Sequence, residues 1–112
     1  MQVSAKAKFI RMTPRKVRLV TDLIKGHQVD EAMATLKFLP KSAAVVVAKV
    51  VKSAAANAEN NYNLSPETLY VANAYVDAGP TMKRLWMRGR GRRDIKLKRS
   101  SHITVVVEDR EE

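Results

Sequence analysis

The sequence contains no cysteine. Disulfide frameworks, zinc ribbons and cysteine nucleophiles are thereby excluded, and the usage fits the cytosol or an organelle interior. Its two histidines, His27 and His102, have no partner at metal-ligand spacing, so neither a metal site nor a cofactor is expected. Aromatics are scarce, at 5%, so any core must be built from small side chains, chiefly alanine and valine. No apolar run approaches the roughly 18 residues of a transmembrane helix. The N-terminus lacks the basic, apolar and cleavage regions of a signal peptide. Phosphate-loop and nucleophile-elbow motifs are missing, and the carboxylates Glu59, Glu67 and Asp77 are scattered. A non-enzyme is expected.

Acids are also few: 11 against 21 basic residues, for a net charge of +10 and a pI near 10.2. That balance predicts a polyanionic partner. Apolar residues still make up 46%, which separates the chain from a disordered polyelectrolyte. A length of 112 residues predicts a single domain, 1–112. The charge is concentrated. Residues 1–18 carry +6, 19–82 carry −1, 83–99 carry +8 and 100–112 carry −3. Two cationic segments therefore flank a neutral body.

Alternation of Val3, Ala5, Ala7 and Phe9 with Ser4, Lys6 and Lys8 predicts a half-exposed strand over residues 3–12. Thr13-Pro14 predicts a helix start, with Thr13 as N-cap. The helix runs to Ile24, and Gly26 suits the left-handed position beyond its end. A second helix is predicted over Val29–Phe38, from Val29, Ala32, Met33 and Leu36 at helical spacing. Asp30 and Glu31 lie in its first turn, where the dipole favours them. A third helix, opened by Pro40 and running to about Asn60, is apolar over most of its circumference. This predicts a central helix, with the sheet on one side and helices beside it. Its valine run taken alone would also fit a strand, but its alanines and length favour helix. Residues 60–63 read as loop and Ser65-Pro66-Glu67 as one helical turn.

The next strand spans Leu69 to Asp77. Leu69, Val71 and Tyr75 alternate with Tyr70, Ala72, Ala74 and Val76, and both faces are mostly apolar, which predicts a strand interior to the sheet. A last strand spans His102 to Glu108, with Ile103, Val105 and Val107 on one face. The predicted fold is α+β: three helices packed on a small antiparallel three-stranded sheet, with a long protruding basic β-hairpin. The body comprises 1–78 and 101–109, the arm about 79–100, and the acidic tail 110–112 is expected to fray.

The arm leaves the body at a Gly79-Pro80 bend, from a neck at Asp77 and Ser101, and turns near Gly89 and Gly91. It has little of its own to bury, so a polyanion is expected to order it. Candidate RNA-binding residues on it are Lys83, Arg84, Trp86, Arg88, Arg90, Arg92, Arg93, Lys96, Lys98 and Arg99. Arginine forks suit phosphates, and Trp86 suits an unpaired base or packing on the body. Asp94 reads as a local partner for the arginines. Arg88-Gly89-Arg90 also resembles a minor-groove hook, except that Gly91 stands where such a hook has proline. A second candidate set is Lys6, Lys8, Arg11, Arg15, Lys16 and Arg18. Arg15 and Lys16 oppose the dipole of the first helix, an arrangement that suits a bound phosphate and equally describes ordinary surface cations. A nucleoid-type architectural DNA-binding protein is the alternative to an RNA-binding one.

Four segments carry a family resemblance: Pro14 to Val20, Ala56 to Asn60, Gly79 to Arg84 and Lys98 to Val107. In this order and spacing the chain resembles, over essentially its whole length, the bacterial-type large-subunit ribosomal protein 22 family. The resemblance implies a structural role without catalysis in the large subunit, in the cytoplasm. It implies 23S rRNA, neighbouring large-subunit proteins and the nascent polypeptide as partners, with no membrane and no obligate homo-oligomer. It further implies an early role in subunit assembly, and a hairpin tip that lines the exit tunnel and affects macrolide sensitivity and peptide-dependent stalling. Carried onto this sequence, the tip is Trp86, Met87, Arg88, Gly89, Arg90, Gly91, Arg92 and Arg93. The sequence departs from the family there: a proline is common at Met87, small residues at Gly89 and Arg93, and Trp86 is unusual.

Overall fold

The structure, a computed structural model, describes residues 2–88 and 92–110, with the side chains of 84–88 and 92–96 outside the description. Three helices pack on a three-stranded antiparallel sheet, and a separate two-stranded hairpin projects from it. The elements are β1 (Gln2–Ile10), α1 (Pro14–Ile24), α2 (Val29–Phe38), α3 (Ser42–Tyr62), a 3₁₀ turn (Pro66–Thr68), β2 (Leu69–Ala78), β3 (Met82–Arg88), β4 (Arg92–Lys98) and β5 (Ser101–Asp109). The radius of gyration is 17.2 Å, against about 13 Å for a compact chain of this length. The longest dimension is 66 Å, with 26 and 17 Å across, which is the extension expected of a body with an arm.

The core is made of small aliphatic side chains. Val17, Val20 and Ile24 on α1 are fully buried, as are Val47, Val51, Ala54 and Ala58 on α3 and Ile103, Val105 and Val107 on β5. No aromatic ring is buried among the described residues. α3 lies over β1 and β5, with α1 and α2 beside it. Its buried positions, Ala43, Ala44, Val47, Val50, Val51, Ala54 and Ala58, follow helical spacing, while Val45 on the opposite face is 60% exposed. Asn57 donates from its side-chain amide to the Ser4 carbonyl at 3.4 Å, linking α3 to β1.

Several boundaries differ from the sequence expectation. Thr13 occupies the N-cap position, but its hydroxyl makes no cap bond. Its carbonyl instead accepts the Lys16 and Val17 N–H groups at 3.1 and 3.3 Å. α3 begins at Ser42, with Lys41 as N-cap, and continues to Tyr62 rather than ending near Asn60. Asn63 takes the left-handed conformation (φ 55°), and Leu64 N–H returns to the Ala58 carbonyl at 3.1 Å. Asparagine tolerates that backbone, so the asparagine cluster caps the helix instead of opening a loop.

The sheet order is β1-β5-β2, so β5 is the interior strand and β2 is not. Part of β2's outer edge is covered by the turn after α1. Gly26 (φ 82°) donates to the Val71 carbonyl at 2.8 Å, and Val71 N–H donates to the His27 carbonyl at 2.8 Å. A register shift between Val71 and Asn73 also exchanges the faces of β2. Leu69 and Val71 are buried before it, Ala74 and Val76 after it, and Tyr75 is turned outward at 49% exposed. The simple alternation predicted for this strand therefore breaks at a bulge, where one extra residue inverts inside and outside.

β1 has the same kind of correction. Its pairing with β5 shifts register between Ala7 and Ile10, and Phe9 adopts φ 59°. Phe9 therefore leaves the buried side that alternation assigned to it and is 65% exposed. At the other end of the chain, Arg110 is tied down rather than frayed. Its N–H donates to the Thr68 carbonyl at 2.9 Å and its guanidinium lies 4.8 Å from the centre of the Tyr70 ring. Glu111 and Glu112 lie outside the described residues.

Candidate nucleic-acid interface

The neck of the arm is a backbone joint with its own hydrogen bonds. Ala78 pairs with Ser101 and Asp77 with His102, one residue away from the expected Asp77–Ser101 neck. Gly79 N–H donates to the Ser100 carbonyl at 2.9 Å, and Ser100 Oγ donates to the Pro80 carbonyl at 2.7 Å. A Cβ on Gly79 would stand 2.5 Å from Ser100 Oγ and 3.2 Å from His102 Cε1. A side chain there would have to push the Ser100 hydroxyl aside, so glycine allows this close approach beside the proline that ends the ladder.

Beyond the joint, pairing resumes at Met82–Lys98 and continues to Arg88–Arg92. The register sets Arg84 opposite Lys96, Trp86 opposite Asp94, Met87 opposite Arg93 and Leu85 opposite Ile95. Two of these pairs, Arg84–Lys96 and Arg88–Arg92, oppose cation to cation, which disfavours a free hairpin. Gly89, Arg90 and Gly91 lie outside the described residues, and so does the expected turn. The side chains of Arg84, Trp86, Met87, Arg88, Arg92, Arg93 and Lys96 lie outside them too.

The two cationic segments of the sequence meet at this neck. One cleft of about 690 Å³ is lined by Phe9, Arg11, Lys16, Pro80, Met82, Leu97, Lys98 and Arg99, among others. A second, of about 630 Å³, is lined by Arg15, Lys16, Arg18, Ala78 and Arg99 with neighbouring residues of α1. Lys16 and Arg99 line both. Among the described residues neither cleft has an acid in its lining, so the cations there attract an anion. The first turn of α1 likewise holds no acid, and its N-terminal dipole adds to the positive potential.

Within the N-terminal set, the six residues do different things. Arg11, Arg15 and Lys16 are exposed and line the clefts. Arg18 donates from Nη2 to the Val76 carbonyl at 2.9 Å, so part of its guanidinium fastens α1 to β2. Lys6 and Lys8 are exposed on β1 and line neither cleft. On the arm, Lys83 is exposed and pairs in register with Leu97.

Sequence reasoning missed the residues that hold this arrangement. Ser101 is fully buried, and its Oγ donates to the Met12 carbonyl at 2.6 Å. His102 Nδ1 accepts the Phe9 N–H at 3.1 Å, and the two rings meet edge to face with centroids 5.0 Å apart. The polar run Ser100-Ser101-His102, standing where a strand re-enters an apolar sheet, was the available signal.

A helix-layered sheet body with a cationic two-stranded projection is the class of protein that these features define. Residues 5–108 match the family model of "Ribosomal protein L22p/L17e". The chain is 56% identical to the large ribosomal subunit protein uL22 of Thermoanaerobacter sp. (strain X514), over 99% of this chain and all of that one. It is 56% identical to the uL22 of Clostridium novyi (strain NT), over 98% and 99% of the two chains. With the uL22 of Thermotoga sp. (strain RQ2) it shares 57% identity, over 97% of this chain and 69% of that one. The chain belongs to this family of ribosomal proteins.

Proposed function

We propose that the protein is a structural, non-catalytic constituent of the large ribosomal subunit in the cytoplasm. It binds 23S rRNA through the neck clefts and the arm, supports subunit assembly, and lines the nascent-peptide exit tunnel with its hairpin tip. The observation that carries the RNA-binding part is the convergence of Arg11, Arg15, Lys16, Lys98 and Arg99 in two clefts at the neck whose described lining residues include no acid. The tunnel assignment and the meeting with a nascent polypeptide are supported by family membership and by the length of the arm. Neighbouring ribosomal proteins are the proposed partners of the apolar groove of about 560 Å³ between α2 and α3, where Met33, Leu36, Leu39 and Val45 are rimmed by Lys37, Lys49 and Lys52.

Competition binding tests the reading. A 23S rRNA transcript should bind the protein saturably and hold it against excess duplex DNA as salt is raised. Equal loss to duplex DNA would replace the ribosomal reading with the architectural DNA-binding one. Crosslinking from positions Trp86 and Arg90 in intact ribosomes tests the tunnel assignment, with tunnel-wall nucleotides and nascent chains as the expected targets.

A further inference from the structure

The geometry points to a nucleobase pocket in the cleft beside Phe9. One unpaired base of the bound RNA stacks on the Phe9 ring, and its flanking phosphates meet Arg11, Lys98 and Arg99. The inference rests on the RNA-binding reading above and adds to it a specific site and a specific contact.

Three observations support it. Phe9 is a bulky residue held at φ 59°, a conformation that costs energy for any residue with a Cβ and that clusters at ligand sites. The result of that strain is exposure: the ring is 65% accessible instead of joining Val3 and Ala5 in the core. The ring is also positioned rather than loose, because the Phe9 N–H bonds to His102 Nδ1 at 3.1 Å and the His102 ring meets it edge to face.

The cleft it faces has the composition of a base site. Its volume is about 690 Å³, within the roughly 300–1,000 Å³ of small-ligand sites. Pro80, Met82 and Leu97 give it an apolar wall, and four cations, Arg11, Lys16, Lys98 and Arg99, surround it with no acid among its described lining residues. Aromatic faces accept any base, and cations beside them track the backbone. A base in a regular duplex is already stacked, so the pocket takes a nucleotide from a loop or bulge.

Phe9→Gly is the informative variant, because glycine adopts the same φ without strain and so removes the ring while leaving the joint in place. Binding of a 23S rRNA transcript should weaken about 5- to 150-fold, the range of one lost base stack. The slope of log affinity against log salt should stay at the wild-type value, since no phosphate contact is removed. Phe9→Trp should bind within about 3-fold of wild type. Wild-type affinity in Phe9→Gly would overturn the pocket and leave the RNA-binding reading standing. Weak binding with a lowered salt slope would also overturn it, by showing that Phe9 acts through the placement of the cations. Failure of the wild type itself to bind the transcript would remove the RNA-binding reading and the pocket together.

Discussion

Ser101 Oγ donates a 2.6 Å hydrogen bond to the carbonyl of Met12, 89 residues earlier in the chain. It joins the turn before α1 to the first residue of β5, at the point where the arm re-enters the body. Ser101 is fully buried and Met12 half-buried, so its loss leaves a half-buried carbonyl without that partner. Ser101→Ala should therefore destabilise the protein by about 1–3 kcal/mol. Urea unfolding should show a lowered midpoint with an unchanged slope.

The neck cations should outweigh the strand cations in RNA binding. Lys16 and Arg99 line both clefts, whereas Lys6 lines neither. Lys16→Ala and Arg99→Ala should each reduce the slope of log affinity against log salt by about 1. Lys6→Ala should leave it near the wild-type value. Filter binding of the 23S rRNA transcript across a salt series provides the comparison.

The arm adds little to the body's core. Its described large apolar residues near the neck, Met82 and Leu97, are 48% and 44% exposed. Deleting residues 83–99 and closing the gap should leave a cooperative thermal transition, with a midpoint within about 5 °C of wild type. Loss of cooperativity would make the arm part of the folding unit. The same deletion should weaken binding to the rRNA transcript through the loss of arm cations.

Two glycines should respond to alanine for different reasons. At Gly26, φ is +82° and a Cβ would meet nothing within 4 Å, so Gly26→Ala should cost about 1–2 kcal/mol through backbone strain alone. At Gly79 the added Cβ meets Ser100 Oγ and His102. Gly79→Ala should displace Ser100 from Pro80 and cost about 1–3 kcal/mol. It should also weaken RNA binding, because the joint that sets the arm's direction moves. Denaturation with parallel filter binding separates the two, since Gly26→Ala should leave RNA affinity unchanged.

The helices were legible because their signals are local: Pro14 at an N-terminus, Gly26 past a C-terminus, and buried residues recurring at helical spacing. The strands were legible as strands but not in their faces. A bulge depends on what the partner strand offers, and nothing within Lys8-Phe9-Ile10 or Val71-Ala72-Asn73 announces a hydrogen bond to His102 or a shift against β5. The interior position went to β5 instead of β2 for a related reason. A continuous apolar reading of β2 merged two half-faces that the bulge separates. Of the candidate interface, the charge clusters were visible at once. Their meeting at Lys16 and Arg99 was not, because it is created by Ser100, Ser101 and His102 from far along the chain.

The placement of β5 has a consequence for the order in which the molecule is made. It follows β1 and β2 in the sequence, yet it lies between them. A chain that has reached only Ser100 holds both outer strands and nothing to join them, and its helices have half a surface to lie on. The sheet closes only after the entire arm has been translated. Closure of the three-stranded sheet thus waits for β5, and the cationic arm is made before the strand that joins its base.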